Sequence, residues 1–368
     1  MTMKKLFVAI AAVALTLSAS CTKADPEEAS TGKISFNVAS YVPATKADSY
    51  ASLVGETTTF KSKAFLHAVG VEGVQNFFGT DGETITANDA TNPSAWLPSH
   101  DYYWPKSSES YINFVSWYDN STTPDVTETS ITWTNRTIAA NDNIMWADEA
   151  WRFNQNNTPG TYKKDAVTEG VPTLFHHALA KLAIKAKAEK VQGGTAAENK
   201  TTWDVTLENI KITNTSNVGT LTLTNTDPTN TKTTVAYTGT GTDNVPAWAP
   251  GAAADVTMNN TSPLTTEFVN VLEEQSVLPQ TLNANAKLTF VLHIITKYDS
   301  TQYSEEKIPV EVVLNTLGTN PITAWEMNTK YTYNIIVNPE TTVVKFDPAV
   351  VDWVEDTQAP TYTVPANL

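Results

Sequence analysis

The sequence lacks most of what would give this chain disulfides, nucleic-acid affinity or membrane spans. Cys21 is the only cysteine among 368 residues, so no internal disulfide can form. Basic residues are scarce, because 24 Lys and Arg stand against 39 Asp and Glu for a net charge of −15. Such a surface repels phosphate groups, which argues against nucleic acid as a partner. After residue 17, no apolar run is long enough to span a bilayer.

Sequence patterns of common catalytic, cofactor and metal sites are also missing. There is no G-x-S-x-G elbow, phosphate-binding loop, dinucleotide fingerprint or EF-hand loop. No two histidines have the i, i+4 spacing of a helical zinc site, and no second cysteine could complete one. The acidic pairs Glu273-Glu274 and Glu305-Glu306 are interpreted as solvated loop charges. We therefore predict a protein that is not an enzyme and binds no cofactor or metal.

The first twenty residues have the three parts of a secretory signal peptide. A basic start, Met1–Lys5, precedes the apolar run Leu6–Leu17 and the small residues Ser18–Ser20. Cys21 follows directly, so the sequence predicts a bacterial lipoprotein acylated on this cysteine and tethered to the outer membrane. The alternative is ordinary signal-peptide cleavage at the same bond, with Cys21 incidental.

A polar tether, residues 21–33, leads to the first predicted strand. Ile34, Phe36 and Val38 alternate with polar residues, as expected for a half-buried strand. The strand pattern ends at Pro43, and the segment that follows contains Lys46-Ala47 in a setting that predicts exposure.

Beyond this point the pattern is β throughout. Short alternating segments separated by turn residues, with many Thr and Asn and ten Trp, predict an all-β fold of sandwiches. We place an N-terminal domain at 34–171 and a C-terminal domain at 172–368. The phase shift at Ile210-Lys211-Ile212 predicts a β-bulge.

Two stretches leave alternatives open. Leu174–Val191 has helical spacing and strong helix formers, but Leu182 and Ile184 also alternate as in a strand, and we favour a strand. Four neighbouring aromatic residues form either core packing or a sugar-binding platform, and core packing is the favoured interpretation. These residues are Trp96, Tyr102, Tyr103 and Trp104.

Several of these stretches together resemble the fimbrillin family of Bacteroidetes, the Mfa-like subunits of type V pili. The stretches are Tyr102–Pro105 with the aromatic strand to Tyr118, Ile144–Ala147, Phe175–Leu182, Trp325–Val337 and the closing Phe346–Trp353. The resemblance implies two tandem transthyretin-like β-sandwich domains and a lipoprotein precursor.

The resemblance also implies assembly by donor-strand exchange. In stalk subunits of this family, an Arg- or Lys-specific protease removes the first strand, and a strand of the next subunit fills the groove. Carried onto this chain, Lys46-Ala47 would be the cut, and the removed strand would contain Ile34, Phe36 and Val38. The candidate donor residues are Val343, Phe346, Val350, Val351 and Trp353.

The resulting hypothesis is a structural pilus subunit at the outer membrane or cell surface that acts in adhesion. Its partners would be copies of itself or related pilus subunits, and a host or bacterial surface ligand. A stalk subunit is favoured over an anchor. The alternative is a glycan-binding surface lipoprotein of a nutrient-uptake system, which would use Trp and Tyr as platforms.

Overall fold

A computed structural model describes most of the chain. The described residues are 32–42, 49–51, 53–107, 109–153, 170–192, 200–225, 234–235, 237–239, 246–251, 253–258, 262–318 and 321–352. Cys21, Lys46, Ala47 and Trp353 lie outside these ranges. Within them the regular structure is β, apart from two short 3-10 turns at Leu53–Gly55 and Leu314–Thr316. The all-β prediction is confirmed.

The first part of the chain contributes twelve strands in the described ranges. They are β1 Phe36–Val42, β2 Ser49–Ala51, β3 Thr59–His67, β4 Gln75–Asn76, β5 Glu83–Ala87, β6 Trp96–Pro98, β7 Tyr111–Asp119, β8 Asp125–Val126, β9 Ser130–Thr137, β10 Ile144–Ala147, β11 Glu149–Phe153 and β12 Val171–His177.

The remaining described strands follow in order. They are β13 Ala180–Ala188, β14 Thr201–Ser216, β15 Val218–Thr224, β16 Thr234–Val235, β17 Thr238–Gly239, β18 Trp248–Pro250, β19 Ala253–Met258, β20 Ser262–Pro263, β21 Val269–Val277, β22 Gln280–Thr281, β23 Lys287–Tyr298, β24 Thr301–Val313, β25 Ala324–Trp325, β26 Thr329–Asn338 and β27 Val343–Asp352. No helix in the described ranges is long and apolar enough to cross a membrane.

The largest sheet closes on itself. Its strands follow one another in the order β7, β10, β12, β1, β6, β5 and β3, and β3 pairs back onto β7 through Lys61–His67. The closed ring encloses the first hydrophobic core. Phe36, Phe60, Phe114 and Phe175 belong to this core. Because the ring is continuous, every one of these strands has a neighbour on both sides.

A second core lies on the other face of β7. Phe114 points into the first core, whereas Trp117 belongs to a second cluster with Trp133 and Trp248. This cluster is covered by a sheet in which β9 pairs with β15. Burial on both faces explains why six of the nine residues in Tyr111–Asp119 are apolar and why they do not alternate with polar ones.

The third core is a sandwich in the second part of the chain. One sheet has the order β21, β13, β26 and β27, and the other has β19, β14, β23 and β24. Alternating residues of β26 point inward, including Tyr331, Tyr333 and Ile335. The predicted bulge is confirmed, since the pairing of β14 with β23 shifts register between Glu208 and Lys211.

The ambiguous stretch at Leu174–Val191 consists of strand residues. It contains the end of β12 and all of β13, so the strand prediction is confirmed. Burial in β13 alternates, since its even-numbered residues are buried and Lys181, Lys185 and Lys187 are half-buried or exposed. The helical appearance comes from the helix-forming Ala, Leu and Lys residues and from Ala183, which is buried on the lysine face.

β12 pairs with β1 and β10, whereas β13 pairs with β21 and β26, so the chain passes from one sheet to another between these two strands. β15 and β16, later in the chain, pair back with β9 and β11. The division between 171 and 172 stays a prediction.

A buried ionic cluster fixes β9 against the end of β7. Arg136 Nε lies 3.0 Å from Asp119 Oδ2, and its Nη2 lies 3.0 Å from Asp142 Oδ2. The Asp119 side chain is fully buried and also accepts a hydrogen bond from Trp133 Nε1 at 3.2 Å. Asp142 adjoins the second part of the chain, because its carbonyl accepts from Ser276 Oγ.

Removing Arg136 leaves two carboxylates inside this cluster without their cation. We expect Arg136→Met to lower the free energy of unfolding by about 3–5 kcal/mol at neutral pH, measured by urea denaturation. The matched control is Lys200→Met, which breaks the exposed Lys200–Asp299 pair and should cost far less, because solvent screens that pair. Equal losses in the two variants would contradict the assignment.

Candidate functional site: the first and last described strands

β1 is part of the first core and not a surface appendage. Ile34, Phe36 and Val38 expose only 1%, 2% and 9% of their surface. The intervening residues Ser35 and Asn37 are half-buried. This is the alternation expected from the sequence, with the apolar side directed into the ring.

Phe36 sits among aromatic rings. Its centroid lies 5.6 Å from Phe60 and 5.5 Å from Phe114, in both cases edge to face, and 6.4 Å from Phe78. Edge-to-face pairs at these distances are favourable beyond their burial. The Phe36 ring therefore fills the centre of the first core.

The backbone of β1 completes the ring. On one side it runs parallel to β12, with register from Phe36–Val171 to Ser40–Phe175. On the other side it pairs with β6 at Phe36–Trp96, and with β2 over Ser40–Val42. Gly170, just before β12, allows the backbone of β12 to approach that of β1. A Cβ at Gly170 would lie 2.9 Å from the Phe36 carbonyl carbon, and the φ of Gly170 is +85°. Without β1 the ring would be open.

The predicted cleavage site lies next to this strand in the chain. Lys46 and Ala47 fall outside the described residues, within the link 43–48. The link joins Val42, at the end of β1, to Ser49, at the start of β2. A cut in it would separate β1 covalently from the rest of the ring and leave only non-covalent contacts.

β27 occupies an edge of the second sandwich. It pairs with β26 along its whole length, from Asn338–Val343 to Thr329–Asp352, and has no neighbour on its other side in the described residues. Of the predicted donor residues, Phe346 is half-buried, and Val350 and Val351 expose 53% and 54% of their surface. Val343 begins the strand, and Trp353 lies outside the described residues.

Besides its pairing with β26, β27 contacts the sandwich through two side chains. Pro348 packs so closely on Gly318 that a Cβ there would lie 2.6 Å from Pro348 Cδ. Lys345 Nζ donates to Glu189 Oε1 at 2.8 Å. β1 and β27 belong to different sheets. The structure therefore does not bring the predicted removed strand and the predicted donor strand together within one copy.

The five histidines each contact a carboxylate. Adjacent His176 and His177 point to opposite faces of β12, toward Asp148 and Glu56. The other pairs are His67–Glu128, His100–Glu83, and His293 with Glu208 and Glu305. Within the described ranges, no three His, Cys, Asp or Glu side chains form a group that could hold a metal.

The aromatic cluster proposed as a possible sugar platform is largely core. Trp96 and Trp104 are buried in the first core, and Tyr102 packs on Phe78 while its hydroxyl donates to Glu83 Oε2 at 2.9 Å. The core interpretation of these residues therefore fits the structure, and Trp96 and Trp104 present no flat exposed face to a sugar ring.

One buried acid was not predicted from the sequence. Glu149, on β11, has no exposed surface and accepts a hydrogen bond from Asn225 Nδ2 at 2.8 Å. Burial raises the pKa of Glu149 well above its usual range, opposed by the Asn225 amide and reinforced by the charge of Glu128. Tyr237 lies nearby, without a hydrogen bond of ordinary length to this carboxyl. Glu149 occupies a strand position where its sequence context gives no hint of burial.

A sequence model of the fimbrillin-like family matches residues 53–353. This range covers most of the chain, and the protein therefore belongs to the fimbrillin-like family. No curated protein matches it.

Several solved structures are similar to this chain at low sequence identity. A candidate cell adhesion protein from Bacteroides uniformis is 14% identical with a TM-score of 0.47, covering 88% of this chain and 98% of that one. A fimbrial protein from Bacteroides vulgatus is 15% identical, with a TM-score of 0.46 and coverages of 87% and 100%. A fimbrilin from Porphyromonas gingivalis is 11% identical, with a TM-score of 0.39 and coverages of 89% and 99%.

The raised pKa of Glu149 predicts a pH-dependent loss of stability. Because the folded state favours the protonated acid, its contribution is complete below the unfolded pKa near 4.5 and is lost as pH rises toward the folded pKa. We expect Glu149→Gln to be more stable than the parent at pH 8 and to differ little from it at pH 4.5.

The measurement is urea denaturation at the two pH values. Glu267→Gln, at an exposed carboxyl, is the control and should keep the pH dependence of the parent. The same pH dependence in Glu149→Gln and in the parent would show that Glu149 does not titrate as proposed.

Proposed function

We propose that the protein is the precursor of a pilus subunit that assembles at the cell surface by exchange of β-strands. The observation that carries this proposal is the position of β1. This strand closes the ring around the first core, yet it is joined to β2 by a short link that contains Lys46. Membership of the fimbrillin-like family supports the same function.

Loss of β1 would create a groove suited to another strand. The groove would expose the aromatic residues that now surround Phe36, among them Phe60 and Phe114. It would also leave backbone N–H and C=O groups of β12 unpaired along one edge. An extended segment from another subunit would satisfy both, by ladder hydrogen bonds and by burial of alternate apolar side chains.

The second requirement is a donor strand that can leave its own domain. β27 meets it in part, because it is an edge strand whose removal leaves the order of the other three strands in its sheet unchanged. Within the proposal, the C-terminal segment is the donor and Lys46 the processing site. The two domains would be tandem transthyretin-like sandwiches, and the precursor a lipoprotein acylated on Cys21.

A stalk subunit fits this arrangement better than an anchor. Release of β1 at Lys46 would remove the acylated N-terminus together with the strand, so the processed subunit would be held only by its neighbours. An anchor subunit would keep its acylated N-terminus and β1. Adhesion to a host or bacterial surface ligand would then be a property of the assembled fibre. The rival function in glycan uptake loses its main support, because Trp96 and Trp104 are buried.

The processing step is tested by changing Lys46. We expect Lys46→Ala to retain the lipid and β1, to remain monomeric and to form no SDS-resistant ladder, because the groove stays filled. The measurement combines the mass and N-terminal sequence of the surface protein with denaturing gel electrophoresis. The parent chain should begin at Ala47 and form ladders.

Lys23→Ala is the matched control, because Lys23-Ala24-Asp25 has the same three residues as Lys46-Ala47-Asp48. It should be processed and assembled as the parent is. Unchanged ladders in Lys46→Ala would contradict the role of Lys46, and a mature parent chain beginning at acylated Cys21 would contradict the stalk assignment.

A further inference from the structure

We propose that a cavity at the junction of three sheets binds the acetamido group of an N-acetylated sugar. The cavity lies where the chain after β9 meets the ends of β14 and β21. Strand exchange is not needed for this binding, because none of the described residues that line the cavity belongs to β1 or β27. The ligand therefore adds a second property to the one proposed above.

The cavity is large enough for a ligand of several heavy atoms. Its volume is about 120 Å³, several times the roughly 10–15 Å³ that one water requires. Three segments of the chain line it, at 138–140, 215–217 and 275–278, together with Trp325. These segments come from different sheets, so the cavity exists only where the sheets meet.

Hydrogen bonds between the three segments fix the wall of the cavity. The Ile138 N–H donates to the Asn217 carbonyl at 2.7 Å, and the Ser276 N–H donates to the Ala140 carbonyl at 2.7 Å. The first segment is thus tied to both of the others. Because the wall is already ordered, a ligand would bind without the cost of ordering these segments.

Two polar side chains of the wall have no hydrogen-bond partner among the described residues. They are Thr215, through Oγ1, and Gln275, through Nε2, and both atoms are enclosed by protein. Thr215 exposes only 2% of its surface. An enclosed hydroxyl or amide without a partner is costly. A molecule bound in the cavity would remove this cost by completing the hydrogen bonds of both groups.

The composition of the wall restricts the ligand to a neutral molecule. Of the described residues that line the cavity, none has an ionisable side chain. An ion enclosed there would lose its hydration without gaining an opposite charge. A free carboxylate, phosphate or ammonium group is therefore excluded as the part of the ligand that enters.

A secondary amide supplies what the two unpaired groups require. Its carbonyl oxygen accepts from Gln275 Nε2, and its N–H donates to Thr215 Oγ1, because a hydroxyl oxygen accepts as well as donates. The methyl of an acetyl group then lies against the apolar side chains of the wall, which are Ile138, Val277 and Leu278. Water would satisfy the hydrogen bonds but would leave these apolar side chains wetted.

The rim of the cavity favours a sugar as the carrier of this amide. Ala140 is exposed and Asn217 is half-buried, so the rim combines a small side chain with a neutral amide. The small side chain of Ala140 leaves space for a sugar ring. The Asn217 amide both donates and accepts, and it therefore suits the hydroxyl groups of that ring.

The test is titration of the full chain with small glycosides, followed by saturation-transfer NMR. The probes are the methyl glycosides of N-acetylglucosamine and N-acetylgalactosamine, which we expect to bind with the strongest transfer at their acetyl methyl protons. The matched ligand controls are the methyl glycosides of glucose and galactose. They lack the acetamido group and should bind about tenfold more weakly or not at all.

Variants of the wall locate the site. Thr215→Val and Gln275→Leu should each weaken binding of the N-acetylated glycosides by about tenfold. The melting temperature should not fall in Thr215→Val, since its hydroxyl has no partner in the free protein. Ala140→Phe should close the opening and abolish binding. The control is Thr213→Val, at a half-buried position of the same strand outside the wall, which should bind as the parent does.

Four outcomes would overturn the proposal. Equal binding of the glucose and N-acetylglucosamine glycosides would show that the acetamido group is not recognised. Binding of N-acetylalanine methylamide without binding of the sugars would identify a peptide as the ligand. Binding of the N-acetylated glycosides that is unchanged in all three wall variants would place their site elsewhere on the chain. Failure of every probe to bind would show that the cavity holds only water.

Discussion

The pairing of β1 with β12 is the constraint on which the first hydrophobic core depends. The ring of strands encloses an aromatic core, and it is closed only while β1 lies between β12 and β6. Each apolar side chain that β1 buries stabilises the closed ring by about 1.5–3 kcal/mol. An intact link to β2 keeps the strand at high effective concentration, so the closed ring is the stable form of the uncut chain. Cutting the link would remove that advantage, although the contacts of β1 with β12 and β6 would still be available.

The two sheets of the third core each have an edge strand, and these two strands differ in how well they are protected against pairing with another chain. β24 and β27 are both edge strands, and each carries a proline, Pro309 and Pro348. A proline on an edge interrupts the row of backbone donors and discourages unwanted pairing. β24 adds exposed charges such as Glu305 and Glu311. β27 instead exposes Val350 and Val351, so the two edges are protected to different degrees.

The local sequence pattern predicted individual strands well, but it did not predict which strands pair with one another. The alternation of Tyr331, Tyr333 and Ile335 correctly indicated one buried face, and the phase shift near Lys211 correctly indicated a bulge. β13 was harder, because its Ala, Leu and Lys residues favour a helix although their burial alternates as in a strand. Trp96, Trp104 and Glu149 are buried by strands that lie far away from them in the chain. No local sequence pattern specifies which strands those are.

The sequence by itself determined the β architecture and the apolar faces of β1 and β26, because these follow from side-chain order along an extended backbone. Only the tertiary structure decided that β1 is a strand in the middle of a closed ring and that β27 is an edge. Those facts depend on which strands pair, and pairing joins residues distant in sequence through hydrogen bonds that every residue type can make. The physical difference between a strand that is enclosed and one that can leave therefore appears only when the sheets are assembled.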